Sequence, residues 1–208
     1  STSLSYSDLF KLNKVKTIDK VDTGSNISLG FDFKINNLNN DNEIESEQFK
    51  FSIGQIISAE ENRDMPSKST LNEKMSDIYG EASINLNENI KISNSFLLDQ
   101  NLEKFNKNQV DLGIIYPKTS FNLSFLEESK HIGNAKYVET KAGLNFNNGL
   151  ISVGAKRNLL TNSAEFYDLS YEYINDCLKA GLAFRREFYR DRDLEPEDSL
   201  IFKITFTP

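Results

Sequence analysis

The feature that most constrains this chain is a period of two. From Asn26 onward, Ile27, Leu29, Phe31, Phe33 and Ile35 alternate with Ser28, Gly30, Asp32 and Lys34. Successive side chains of a strand point to opposite faces, so this pattern makes one apolar and one polar face. It returns in Ile78, Gly80, Ala82, Ile84 and Leu86, in Val110, Leu112, Ile114 and Tyr116, and in Val138, Thr140, Ala142, Leu144 and Phe146. It returns again in Tyr167, Leu169, Tyr171 and Tyr173, in Leu178, Ala180, Leu182 and Phe184, and in Leu200, Phe202, Ile204 and Phe206. Fainter strands are expected at Phe49–Ser58, Ile90–Leu98, Thr119–Leu126 and Leu150–Arg157, which makes about eleven. No segment carries the 3.6-residue apolar period of a helix. Residues 1–23 read as an extended segment and external loop leading to Gly24, with Leu9 and Phe10 marking a further strand.

The runs are roughly ten residues long, against a usual soluble mode of about 5–6. At about 3.3 Å per residue and a tilt near 45°, roughly eleven residues cross about 25 Å, the height of an outer-membrane apolar band. The connections support the same class, because read back from Pro208 they alternate long and short. Tyr189–Asp198, Asn158–Ser163, Glu127–Asn134, Gln100–Lys107 and Ser58–Asp77 are the longer set. Ile174–Asp176, Asn147–Gly149, Pro117–Lys118 and Asn87–Asn89 are tight, and only Asn36–Glu47 is long where a short turn is expected. Outer-membrane barrels have short periplasmic turns, longer external loops and a periplasmic C-terminus. The fold class is therefore all-β, an antiparallel transmembrane β-barrel. A single-chain bacterial barrel closes with an even number of strands. An odd count reads as the C-terminal part of a larger barrel, with residues 24–208 carrying the strands and further sequence upstream of Ser1.

Composition narrows the function. A polar lumen at every second position keeps a barrel's mean hydropathy low, so 38% hydrophobic residues do not force a soluble protein. No run approaches the roughly 20 apolar residues of a membrane helix, and Ser1–Asp8 lacks the plan of a signal peptide. A net charge of -7 argues against nucleic acid, whose phosphates call for a basic face. One cysteine, Cys177, leaves no internal disulfide framework, and one histidine, His131, no paired zinc ligands. His131 falls in a loop with no nucleophile set about it, so no catalytic site and no cofactor is expected.

Two features stand out. The last strand, Ser199, Leu200, Ile201, Phe202, Lys203, Ile204, Thr205 and Phe206, is amphipathic and ends in an aromatic, as the final strand of an outer-membrane protein does. Cys177 follows a tight turn, which the topology puts at the periplasmic rim, an oxidising place. It is an inert cysteine, a free thiol or half of a bridge to a partner elsewhere. The segment Arg185–Asp198 mixes charges densely and reads as a solvated loop.

The residues Tyr171–Arg186 and Tyr189–Leu200 resemble the end of the LptD family, the lipopolysaccharide-assembly or organic solvent tolerance proteins. Ser7–Lys14 followed by Asp19–Gly24 is similar to the family's Asn-Arg and Asp-Arg-Val-Glu-Gly-Gly segment. Here Lys14, Asp22 and Thr23 stand where the family has Arg, Glu and Gly. The resemblance implies a barrel of about twenty-six strands that inserts lipopolysaccharide into the outer leaflet. Its implied partners are an LptE-like lipoprotein plug, an LptA-type periplasmic bridge and outer-membrane lipid. It would make Ser199–Phe206 one wall of a lateral gate and Cys177 the barrel half of a disulfide to an N-terminal part. The family often has two cysteines at that turn, and here Asp176 precedes a single one. Alternation puts Lys50, Glu81, Asp111, Glu139, Lys141, Lys179 and Lys203 on the polar face, which the resemblance would make the lining of a hydrated lumen for a sugar-phosphate head group. A porin-like passive channel and a soluble β-sandwich binding module are the rival readings.

Overall fold

A computed structural model describes residues 5–11, 24–38, 44–62, 65, 70–129, 133–175, 177–188 and 197–206. Its eleven strands form one antiparallel sheet in which every strand neighbours only those next to it in the chain. They are β1 (Asn26–Leu38), β2 (Ile44–Ser58), β3 (Ile78–Asn87), β4 (Ile90–Leu98), β5 (Phe105–Ile115) and β6 (Thr119–Glu128), followed by β7 (Ala135–Phe146), β8 (Gly149–Asn158), β9 (Ser163–Ile174), β10 (Leu178–Glu187) and β11 (Asp198–Phe206). Among the described residues the one helical element is a single 3-10 turn, η1 (Tyr6–Phe10), and no helix is long and apolar enough to cross a membrane.

The alternation of connections holds throughout. Residues 39–43, 88–89, 116–118, 147–148 and 175–177 join strands at one set of ends; 59–77, 99–104, 129–134, 159–162 and 188–197 join them at the other. The long Asn36–Glu47 connection is corrected, because pairing continues past Ile35 to Leu38↔Ile44 through two register shifts. Those shifts absorb Asn36 and Asn37, where the alternation lapses. The charged segment is also shorter than expected: Arg185, Arg186 and Glu187 belong to β10 and Asp198 to β11. His131 and Asp176 lie outside the described residues.

The chain divides into two compact units. The first holds Ser1–Asn87, Ile92–Val110 and Leu126–Ala135. Here Ile27, Leu29, Phe31 and Phe33 face the same side as Ile57, Gln55, Ile53 and Phe51, while Ser28, Gly30, Asp32 and Lys34 pair with Ile56, Gly54, Ser52 and Lys50. The apolar side is bare: Ile27 is 64% and Phe31 58% exposed. What is buried lies on the polar side, near the long-connection ends, where Leu9, Ile56, Met65, Leu71, Tyr79 and Leu97 form a small cluster.

η1 supplies that cluster's outer layer, so Leu9 and Phe10 mark a turn rather than a strand. Asp8 stabilises it: the Ser5 N–H and hydroxyl both donate to Asp8 Oδ2, at 2.9 and 2.8 Å, and Lys11 Nζ donates to Oδ1 at 2.6 Å. Such a box satisfies the orphan donors at a helix start. The turn is then tied to β1, since the Ser28 hydroxyl donates to the Leu9 carbonyl at 2.6 Å and the Tyr6 phenol to Asp32 Oδ2 at 3.0 Å. Burial, followed by the hydrogen bond to Asp32 and that carboxylate's charge, pushes the Tyr6 phenol up to about 12. It therefore remains a proton donor at ordinary pH.

The second unit holds Glu88–Lys91, Asp111–Phe125 and Lys136–Pro208. Continuous registers line its side chains into rows. Ala142–Val153–Leu169–Phe184–Leu200 and Leu144–Ile151–Tyr171–Leu182–Phe202 run across β7 to β11 on one face. Lys141–Gly154–Asp168–Arg185–Ser199 and Asn145–Leu150–Glu172–Gly181–Lys203 run across the other.

Gly54 gives the packing of η1 a test. A Cβ there would stand 2.9 Å from the Leu29 carbonyl oxygen and from Leu9 Cδ1, and 3.0 Å from Tyr6 Cε2. Overpacking of this kind costs about 1–3 kcal/mol. Gly54→Leu is expected to lift η1 from the sheet, with β1 giving by a few tenths of an ångström at the Leu29 carbonyl. Trypsin should then cut after Lys11 several-fold faster in detergent micelles, while the heat-modifiable gel shift of the folded sheet persists.

Candidate functional site

The two faces of the second unit differ in more than polarity. Its apolar rows have no cover: Leu200 is 68%, Phe202 65% and Phe206 79% exposed. A soluble monomer rarely leaves a contiguous apolar patch beyond a few hundred Å². Two continuous apolar rows across five strands, built mainly of Leu, Phe, Ile and Tyr, need a solvent other than water.

On the polar face most charges meet a partner. Lys156 pairs with Glu165 at 3.1 Å and stands 4.2 Å from the Tyr137 ring centre. Arg185 Nε lies 2.9 Å from Asp168 and 3.3 Å from Glu187, its guanidinium 4.4 Å over Phe166. Glu139 and Lys141, two of the lumen residues expected from alternation, meet at 2.7 Å. Asp111 accepts a hydrogen bond from the Ser124 hydroxyl at 2.5 Å. In the first unit Lys50 pairs with Glu81.

Lys179 and Lys203 are different. They stand on β10 and β11 opposite Thr205 and Gly181, so they are diagonal neighbours on one face. Neither has an acidic partner among the described residues. They line a hollow of about 470 Å³ with Ser170, Glu172, Ala183, Ile201 and Thr205. Its floor is low because Gly181 lies between Glu172 and Lys203, and Ala183 between Ser170 and Ile201. Long side chains stand at either side of small ones. The hollow lies against β11, the strand at the sheet's edge.

The alternation put both lysines on one face, but it gave no sign of the hollow. Its makers are Gly181, Ala183 and Glu172. The signal available was two small residues at a period of two within the polar set of β10, legible only once the register with β9 and β11 was known. Cys177 is exposed in the 175–177 connection with a free thiol, and its N–H donates to Asn175 Oδ1 at 3.0 Å. Ser199–Phe206 runs against β10 from Arg185 to Leu178, with the Ser199 hydroxyl 3.5 Å from the Arg185 carbonyl. No group of three His, Cys, Asp or Glu among the described residues is placed to hold a metal ion.

A Cβ on Gly181 would come no nearer than 3.9 Å to another group, the Tyr171 carbonyl. Gly181→Leu is thus expected to fold normally and fill the hollow. The rate of lysine acetylation, read by mass spectrometry, should fall several-fold at Lys179 and Lys203 and hold at Lys141. Equal rates at all three would mean that the hollow does not govern access to its lysines.

No curated protein matches the chain. The family model described as LptD, LPS transport system D, matches residues 1–159. That span includes the Ser7–Gly24 segment and ends before Tyr171–Leu200. With the matched residues covering well over half its length, the chain belongs to the LptD family.

Proposed function

We propose that this chain forms part of an outer-membrane translocon that inserts lipopolysaccharide into the outer leaflet. The carrying observation is the pair of unpartnered lysines in a hollow beside the edge strand, on the reverse of a bare apolar face. A lipid with a phosphorylated sugar head needs such a divided surface. Its phosphates take charge-assisted hydrogen bonds from ammonium groups, and its acyl chains stay with hydrocarbon. Membership of the LptD family supports lipopolysaccharide as the lipid. In this reading the face carrying Lys50, Glu81, Asp111, Glu139, Lys141, Lys179 and Lys203 turns to the lumen. Ser199–Phe206 forms one wall of the lateral exit, and the short-connection ends with the C-terminus lie in the periplasm.

The same reading supplies partners. An LptE-like lipoprotein would plug the barrel, and an LptA-type bridge would deliver lipid through a periplasmic domain. Cys177, exposed at a short connection, would carry a disulfide to that domain. A passive porin-like channel accounts for the two-faced sheet but gives no role to unpaired lysines at a strand edge.

A photo-crosslinking residue at Ile201, inside the hollow, tests the path. It is expected to give ultraviolet-dependent lipopolysaccharide adducts in cells, reduced several-fold by Lys179→Gln with Lys203→Gln. Adducts that are absent, or unchanged when both lysines are neutralised, would remove the hollow from the route. For Cys177, a reductant-sensitive gel shift of the protein from cell envelopes is expected, lost in Cys177→Ser. Identical migration of both with and without reductant would leave the passive channel as the better account.

A further inference from the structure

The apolar belt of the second unit ends abruptly toward the long connections. Three cations stand there: Lys136 on β7, Arg157 on β8 and Arg186 on β10. Register puts them on the apolar face. Arg157 is opposite Val138, and Arg186 is opposite Tyr167, one row beyond Phe184–Leu169–Val153. Lys136 stands two residues before Val138, so alternation gives it the same side. Aromatic rings are set among them. Lys136 Nζ is 5.9 Å from the Phe125 ring centre and the Arg186 guanidinium 5.5 Å from that of Phe188. Phe188 meets Tyr167 edge-on with centroids 5.4 Å apart.

The carboxylates on this side are fewer. Asp198 lies 3.4 Å from Arg186, and Glu127 follows Phe125 on β6 by two residues. Arg157 has no acidic partner among the described residues. Its Nη2 reaches Asn162 alone, the side-chain oxygen at 2.7 Å and the carbonyl at 3.3 Å. Among the described residues of this unit, positive charge is therefore in excess at Arg157. A cation on the lipid face of a barrel costs about 2–4 kcal/mol at the bilayer midplane and about 0–1 near the interface. The position is therefore tolerable only at a membrane surface, where phosphate is the abundant anion and a guanidinium's planar fork its best receptor.

We infer that Arg157 and Arg186, with Tyr167 on the strand between them, form an outward-facing site for the anionic head group of a bilayer lipid. Its acyl chains would lie down the Val153–Leu169–Phe184 row. The occupant is a lipid rather than a soluble phosphate because the cations border the exposed apolar belt on its own face. This rests on the reading that the sheet crosses a membrane, and it concerns the outer wall, not the luminal path.

The 208 residues contain no tryptophan, so Tyr167→Trp adds a reporter at the site, read in nanodiscs as the difference between the full protein carrying it and the same protein with Tyr167. With about a tenth of the lipid brominated, quenching by brominated phosphatidylglycerol is expected to exceed that by brominated phosphatidylcholine several-fold. Adding Arg157→Gln and Arg186→Gln should bring the two within twofold. Equal quenching by both lipids in the reporter protein sinks the site but leaves the membrane-spanning reading standing. No quenching by either overturns both. If the double variant fails to insert, the reporter protein alone decides: about 1 M salt should abolish a preference that is electrostatic, and a preference that survives it refutes the arginine site.

Discussion

Every peptide unit of a strand carries a donor and an acceptor, and hydrocarbon offers neither a partner. Pairing each strand with its neighbours meets that demand, and the same ladder then decides everything about the side chains. Because the period is two, the registers that satisfy the amides also sort Leu200, Phe202 and Ile204 to one side and Ser199, Lys203 and Thr205 to the other. A slip of one residue would exchange the faces wholesale. Register shifts sit near strand ends, between Ile35 and Leu38 and at Lys156/Arg157, where the apolar belt has run out.

With the apolar face given to an outside solvent, the polar face has to satisfy itself, and the two units do so differently. The first covers its face with its own chain: η1 and residues of the 59–77 connection bury Leu9, Met65, Leu71 and Tyr79 against β2 to β4. The second uses ion pairs, Lys156 with Glu165 and Arg185 with Asp168. Around Gly181 it leaves room. On a face where most charges are paired, Lys179 and Lys203 stand out together with Glu172, which lines the same hollow.

The strands were legible because their signal is repeated in every residue. The eleven elements, their order and the alternation of connections all follow from period-two hydropathy and turn residues. Less legible was whatever depends on a neighbour. Ser5 and Asp8 have the spacing of a capping box, but nothing in Ser5–Lys11 alone says that Leu9 will lie on Gly54. Asn36 and Asn37 look like loop residues because a bulge hides their pairing. Arg185 and Arg186 read as loop because charge outweighed position, whereas β10 carries them on opposite faces, one toward Asp168 and one toward Asp198. The hollow needs three strands in register before Gly181 means anything.

That every strand pairs only with its chain neighbours has a consequence for how such a sheet comes into being. Loop closure costs more as the loop lengthens, and here nearly all closures are short. The contact order is low for an all-β protein, so the usual kinetic penalty of distant strand pairing is largely absent. Assembly can proceed as a succession of hairpins, each offering the next a finished edge. The 19 residues between Ser58 and Ile78 are the one wide gap to be spanned. That step is the natural bottleneck, and Ser76, whose hydroxyl accepts the Ile56 N–H, is among the residues that would register its completion.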